Sequence, residues 1–340
     1  MITERLMDVV FPVRDQNLSK VVESLSEPDA GKAADNFVTN EDSFARVATD
    51  LERLAPRDGV YLGVGPDQNF TYIARAQPRL AFILDFRRRN SLLHFVHKAL
   101  FALADDRAGY LTRLLARAPR PLPANPSADD LVAAFEGVEL DRARLIELTA
   151  KVADTLRPFN LLSDPECLEM ATIQAKLAGP GLSCRFLALP MYPTLGRLIR
   201  AHDLQNEPAH FLAQEAWYQA VRTLQIGDRV IPLVGDFAGP HALNALGEWL
   251  RRRGLAVSVF YASDVEFFLL RSGRLNAYAD NLARLPWKKD AVLIRTSTRE
   301  INHPERQGGD SSTTILRPAA DFIEKVRAGG IRSVDDLFAR

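Results

Sequence analysis

Val60-Tyr61-Leu62-Gly63-Val64-Gly65-Pro66-Asp67-Gln68-Asn69-Phe70 is the stretch on which the reading of this chain turns. A short apolar run feeds a tight glycine turn and then a segment with helical character, the pattern of a buried strand entering a helix. A second apolar run, Leu80-Ala81-Phe82-Ile83-Leu84, ends at Asp85, and the residues between the two runs suffice for one crossover helix. That is a βαβ unit, which in most sheets is parallel and right-handed. A glycine turn at the carboxyl edge of such a sheet lets backbone amides approach a ligand, and an acid at the end of the next strand can accept hydrogen bonds from both hydroxyls of a ribose. Two plainer readings stand beside this one: a turn that only reverses the chain, and an Asp85 that caps the next helix or pairs with Arg87.

Working outward, Arg87-Arg88-Arg89 precedes Leu92, Leu93, Phe95, Val96, Ala99, Leu100 and Leu103, which read as a largely buried helix. The arginines suit either a solvated helix start or an anionic group. Pro119, Pro121, Pro123 and Pro126 allow neither helix nor ladder, so a surface loop is expected there. Helical patterns return over 128–156 and 164–177, and 120–225 reads as a helical insertion or cap. Its Met191-Tyr192-Pro193-Thr194 and His202-Asp203 are expected to face the ligand side. Arg229 to Val234 reads as a strand in which Pro232 implies a bulge or an unpaired amide. A helix follows through Ala242, Leu243, Leu246, Trp249 and Leu250, closed by Gly254 behind Arg251, Arg252 and Arg253. Strands are then expected at Ala256 to Tyr261 and Ala291 to Ile294, with a helix opening at Asp264-Val265-Glu266. Upstream, 1–55 reads as a helical layer with Phe44, Val47, Leu51 and Leu54 on one face. The whole chain, 1–340, is expected to be one doubly wound α/β domain with a mostly parallel, Rossmann-like sheet.

Composition narrows the function classes. The chain has 340 residues, 47% of them apolar and 25% charged, the mixture of an ordinary globular protein. Its 43 basic residues balance 43 acidic ones, so no net field draws it to nucleic acid or an anionic membrane. No run reaches the ~18 apolar residues of a membrane span, and the charged opening Met-Ile-Thr-Glu-Arg-Leu-Met-Asp does not suit a signal peptide. A cytoplasmic protein is expected, with Cys167 and Cys184 as reduced, buried thiols, a small-molecule partner and room for a homodimer. The 6 histidines are scattered without His-x-x-x-His, so no metal site is expected. His94 and His97 read as satisfied imidazoles inside their helix.

The dinucleotide pattern needs a third glycine at position 68, where Gln68 stands. Pro66 also removes an amide and Asp67 adds negative charge, which makes a diphosphate a poor guest. A ligand with ribose and adenine but no phosphate fits better, and S-adenosylmethionine is one. At this point the sequence resembles the class I S-adenosylmethionine-dependent methyltransferase fold, and within it an uncharacterised bacterial family. The likeness is carried by Tyr61 to Ile73, by Ala81-Phe82-Ile83-Leu84-Asp85-Phe86-Arg87-Arg88, by Val234-Gly235-Asp236-Phe237-Ala238-Gly239 and by Tyr261-Ala262-Ser263-Asp264-Val265-Glu266, spanning roughly residues 35–300.

The resemblance implies that Gly63, Val64, Gly65, Pro66, Asp67 and Asn69 hold the methionine part of the cofactor. It implies that Asp85, with Phe86 and Arg87 beside it, binds ribose, and that Asp236 and Phe237 lie beside adenine or the methionine end. Asp236, Tyr192 and Asp264 are the candidate catalytic residues, orienting an acceptor for attack on the sulfonium methyl group. The likeness departs at Tyr61, where the wider fold carries an acid, and at Asp67-Gln68, where the third glycine falls. Asp236 and Asp264 also read as N-caps of the helices that follow them, and Glu266 as structural. Tyr72, Tyr261 and His202 are further pocket candidates, the last with Asp203 as orienting acid. Two other functions fit the same residues: a nicotinamide oxidoreductase, and a non-catalytic sensor or scaffold that binds a nucleoside-like ligand.

Overall fold

The computed structural model describes residues 18–31 and 36–338. Four wholly buried residues, Val60–Gly63, form β1, and six more, Leu80–Asp85, form β2 beside it. Neither alternates in polarity, because helices cover both faces of a parallel sheet. The others are β3 (Val230–Val234), β4 (Val257–Ser263), β5 (Trp287–Ser297) and β6 (Thr313–Pro318). They make one sheet in the order β3-β2-β1-β4-β5-β6, parallel except for β6, which runs antiparallel to β5. This is the doubly wound, Rossmann-type order of the methyltransferase fold, and it reverses direction between β1 and β4.

Helices Gln68–Ala76, Arg88–Leu103, Ala242–Arg252 and Leu275–Ala283 lie in the connections between successive strands. Between Arg88–Leu103 and β3 the chain folds into further helices, Arg107–Leu115, Ala128–Phe135, Arg142–Leu156, Asp164–Ala178, Leu195–Ile199 and Glu215–Ile226. Arg142–Leu156, Asp164–Ala178 and Glu215–Ile226 pack on Arg88–Leu103, whose residues Asn90 to Phe101 are all buried.

Of the two outcomes expected at Pro232, the unpaired amide is the one present. Pro232 makes no bulge: β3 pairs continuously with β2, Pro232 opposite Ile83. β3 is an edge strand, and the amide of Val234, two residues on, faces outward to Ser26 Oγ at 3.1 Å. The missing amide of Pro232 therefore lies on the unpaired side, where no ladder bond is lost. Leu54 is 47% exposed and leaves the apolar face to Phe44, Val47 and Leu51. β6 was not foreseen, since its hydroxyl-rich start and charged Arg317 give no apolar run.

The described part of the N-terminal layer is only partly helical. Helix Leu18–Leu25 buries Leu18, Val21, Val22 and Leu25 against β3 and helix Ala242–Arg252. An irregular arm then crosses the carboxyl ends of the strands: Glu27 N donates to Val234 O at 2.8 Å and Ala30 N to Phe86 O at 3.2 Å. Beyond it the arm re-enters as a 3-10 turn, Asp42–Val47, and helix Ala48–Leu54. Residues 1–17 of the expected layer lie outside the described residues.

Candidate functional site

The glycine loop is held from within. Asn69, fully buried, donates Nδ2 toward the carbonyls of Val64 (2.9 Å), Gly65 (3.2 Å) and Pro66 (2.7 Å), while its Oδ1 accepts from Tyr61 Oη at 2.8 Å. A Cβ at Gly63 would sit 2.0 Å from Asn69 Oδ1 and 2.7 Å from the Tyr61 ring, so this glycine is needed for close packing of those two side chains. Gly65 adopts φ +78°, the left-handed turn that favours glycine. His94 Nε2 lies 2.8 Å from Gly65 O, and burial lowers its pKa to about 4, so it is a neutral donor to that carbonyl. His97 pairs through Nδ1 with Tyr110 Oη, and burial lowers it to about 3. Each imidazole thus satisfies one nitrogen, while among the described residues His94 Nδ1 and His97 Nε2 have no hydrogen-bond partner.

Asp67 stands at the start of helix Gln68–Ala76 and accepts from Thr39 N at 3.2 Å. Burial pushes its carboxyl up to about 6, against the pull of the amides of Thr39, Gln68 and Asp67 itself. Its carboxyl lies beside the helix N-terminus, where a ligand's anion would sit, but makes no cap bond to it.

Asp85 ends β2, and its neighbour across the sheet is the loop after β1, since Gly63 pairs with Ile83 in parallel register. Its carboxylate is 1% exposed and engaged by Arg87, which donates from N (3.0 Å) and Nε (2.8 Å) to Oδ1 and from Nη2 (2.6 Å) to Oδ2. The pairing alternative is thus the one present. Phe86, 39% exposed, lies under the arm with Arg87: a Cβ at Gly31 would be 2.5 Å from Arg87 Cγ and 3.1 Å from the Phe86 ring. Arg88 and Arg89 pair with Glu166 and Glu169 at 2.7 and 2.5 Å.

The other candidates spread along the same edge. Asp236, beyond β3, accepts from Ala238 N at 2.8 Å and pairs with Arg274 at 2.6 Å. It does not cap the next helix; Glu27 does, accepting from the amides of His241 and Ala242, each at 2.9 Å, and from Asp236 N. Phe237 is buried against Phe260 and Tyr278. Asp264 makes no cap bond either: its carboxylate takes the Thr298 hydroxyl at 2.7 Å, and burial raises its pKa. Glu266 is a buried ion pair with Arg295 at 2.6 Å. Tyr192 packs its ring on Phe186 in the 186–192 loop. His202 is not oriented by Asp203, whose carboxylate goes to the Thr49 hydroxyl and to the amides of Gln205 and Glu207. Cys184 is buried and Cys167 half-buried; both are free thiols.

Sequence reasoning missed Glu41. It is fully buried where β4 and β5 end, and accepts from Tyr261 Oη at 2.7 Å, Thr296 Oγ1 at 2.8 Å and the Ser263 hydroxyl. Gln68 Nε2 in turn donates to Tyr261 Oη, tying the group to the glycine-loop helix. Burial, with Asp264 nearby, pushes the Glu41 carboxyl up to about 7 against its three hydroxyl donors. The sequence signal was slight: one acid in a polar arm with no periodicity.

Two clefts open nearby. One, about 480 Å³, is lined by Asp42, Arg46, Thr194, Arg197, His202 and Asp310 among others. The other, about 470 Å³, lies between Phe37, Lys176 and the 183–188 loop. Cys184 on its wall is pushed up to about 12 by burial and by the Asp67 carboxylate. Among the described residues no three His, Cys, Asp or Glu side chains group as metal ligands, and no helix is long and apolar enough to cross a membrane.

No curated protein matches the chain. A family model described as Domain of unknown function (DUF7790) matches residues 36–121 and 163–339, leaving out the segment that carries helices Ala128–Phe135 and Arg142–Leu156. The match covers most of the chain, both glycine-loop strands and the whole second half of the sheet, so the chain belongs to the DUF7790 family.

Proposed function

We propose that the protein binds S-adenosylmethionine at the glycine loop and serves methyl transfer to a small-molecule acceptor. The observation that carries this reading is the pairing of β1 with β2 beside the point where strand order reverses, which brings Asp85 and the glycine loop to one edge. Asp67 supports a ligand without phosphate, since its buried carboxyl at the start of helix Gln68–Ala76 adds negative charge where a pyrophosphate would sit. The same carboxylate weighs against the nicotinamide reading. The cleft of about 470 Å³ between Phe37, Lys176 and the 183–188 loop has the volume for a ligand of this size.

The residues fit such a guest in a defined way. Asp85 supplies two carboxylate oxygens for a ribose diol, and the guanidinium of Arg87, 15% exposed, must release them as the diol arrives. Phe86 offers a partly exposed ring beside that acid. The cofactor would supply an electrophilic methyl group on a sulfonium. Asp236, Tyr192 and Asp264 are the side chains assigned to holding the acceptor in line.

Isothermal titration with S-adenosylmethionine, S-adenosylhomocysteine and NAD tests the reading. Binding of the first two, weakened in Asp85→Ala, is expected, with no heat from NAD. Absence of binding by either adenosyl compound at millimolar concentration overturns it.

The arm favours a second reading, a nucleoside-ligand sensor without catalysis. Glu27, Ala30, Gly31 and Thr39 all contact the strand-end loops, so a ligand beside Asp85 meets the arm directly. Binding without formation of S-adenosylhomocysteine when the protein is incubated with a cell's small-molecule fraction would favour the sensor.

A further inference from the structure

Glu41 and Asp42 are adjacent in sequence, yet their carboxyl groups are also joined by a row of side-chain hydroxyls drawn from β5, β6, the loop before β6 and the 3-10 turn that begins at Asp42. Thr296 Oγ1 lies 2.8 Å from Glu41 Oε2 and 3.1 Å from Thr314 Oγ1. Thr314 Oγ1 lies 2.8 Å from Ser43 Oγ, which lies 2.7 Å from Ser312 Oγ, and Ser312 Oγ is 2.8 Å from Asp42 Oδ1. All four hydroxyl residues are buried, at 1 to 2% exposure.

Counting hydrogens shows what the row requires. It has five oxygen–oxygen contacts and four hydroxyl hydrogens to fill them. If both carboxyls are ionised, one contact is left as two oxygens with no hydrogen between them. One added proton completes the row. Placed on Glu41, it sets every donation in one direction, from Glu41 through Thr296, Thr314, Ser43 and Ser312 to Asp42.

The surroundings of the two ends put the proton on Glu41. Asp42 also accepts from Ser311 N, Ser311 Oγ and Ser312 N, and Arg197 Nη2 stands 3.7 Å away, so this end is built for a negative charge. Glu41 is faced by the phenol of Tyr261, with Tyr61 and Tyr72 nearby, by the hydroxyl of Ser263 and by the carboxyl of Asp264, which opposes a second charge. On the Asp42 side stand Arg46 with its partner Asp310, Asp203 near Arg46, and, around the cleft, Glu136, Arg200 and His202.

We propose that Glu41 and Asp42 form one acid–base unit, sharing a single proton along the hydroxyl row and exchanging it with a protic small molecule in the cleft that Asp42 lines. In the accepting direction, a hydroxyl or amine in the cleft gives its proton to Asp42. Ser312, Ser43, Thr314 and Thr296 then each take one proton and pass one on, and Glu41 gains one. The reverse sequence protonates the ligand. Arg197, 58% exposed at the rim, suits an anionic group on the same molecule. The unit stands independently of methyl transfer; if the acceptor of that reaction occupies this cleft, its proton ends on Glu41.

The experiment is an infrared titration of the protonated-carboxyl stretch, assigned to Glu41 by its loss in Glu41→Gln. In the unsubstituted protein the band is expected to vanish with a midpoint near 7. Ser43→Ala touches nothing on Glu41 but cuts the row, so the hydroxyls on the Glu41 side can all donate to its carboxylate. The midpoint should then fall by about one pH unit, the worth of one hydrogen bond. Thr314→Val, which keeps the side-chain shape, should do the same. An unmoved midpoint in both variants overturns the proposal, as does absence of the Glu41 band at pH 5.

Discussion

Asn69→Ala tests the claim that the glycine loop is held from inside. The substitution leaves the Tyr61 phenol, 0% exposed, without its acceptor at 2.8 Å. It also removes the donor from the carbonyls of Val64 and Pro66, at 2.9 and 2.7 Å, while Gly65 O keeps His94. An unmet buried polar group costs about 1–3 kcal/mol. With two N–H groups and one acceptor lost, the expected destabilisation is about 3–5 kcal/mol. A chain of 340 residues unfolds with an entropy of roughly 2.1 cal/mol/K per residue, so the melting temperature should fall by about 4–7 °C. Differential scanning calorimetry and urea unfolding at constant m-value measure it. Tyr61→Phe closes a double-mutant cycle, in which the pair should couple by about 1 kcal/mol or more because the phenol stranded by Asn69→Ala is then absent. A loss below about 1 kcal/mol for Asn69→Ala, or strict additivity with Tyr61→Phe, refutes the reasoning.

Three other outcomes follow from the same geometry. Arg295→Met leaves Glu266 buried at 2% side-chain exposure without its cation and should cost about 3–5 kcal/mol; adding Glu266→Gln should restore most of that in thermal unfolding, and no restoration would show that Arg295 acts through its stacking on Phe322 and Phe338. Glu27→Ala strips the cap from helix Ala242–Arg252 and should lower stability by about 1–2 kcal/mol in urea, with Glu27→Gln losing less. His97, lowered by burial from 6.5 to about 3, contributes stability that is complete above pH 6.5 and is lost as pH falls through about 3; the stability difference between the unsubstituted protein and His97→Gln should shrink across that window, and a constant difference would contradict the burial of a neutral ring.

The parts of the fold that could be read from the sequence are those whose signal is local. Val60 to Leu62 and Leu80 to Leu84 are unbroken apolar runs because both faces of a parallel strand are covered, and the glycines between them mark the turn. β6 carries no such run; its buried positions are Thr313, Thr314 and Ile315, and it pairs with Val292 to Ser297 of β5, a pairing that no local pattern announces. The site was harder still. Asp85 and Arg87 are two residues apart, so sequence alone allowed pairing as readily as ribose binding, and side-chain reach decides for the pair. Glu41 and Tyr261 are 220 residues apart, a distance over which no periodicity carries information. Asp236 looked like a cap because nothing nearby in sequence could supply another, yet Glu27 reaches the helix from 215 residues upstream.

That last substitution of partners repeats along the edge and bears on what can bind there. Each parallel strand delivers the chain to a helix start with unsatisfied amides, the usual seat of a phosphate. Here Glu27 takes the amides before helix Ala242–Arg252 and Asp29 takes Arg88 N at 3.1 Å, while the Asp67 carboxyl lies at the start of helix Gln68–Ala76. Three strand ends are thus supplied with the chain's own anions, two of them carried by the arm. A ligand bearing phosphate at either of the two arm-capped points would have to displace a carboxylate and move the arm with it. A neutral sugar or a cationic centre meets no such opposition, since the carboxylates attract it. The placement of these carboxyls supports the proposed reading of a nucleoside ligand without phosphate, as do Pro66 and Gln68, which remove an amide and a glycine.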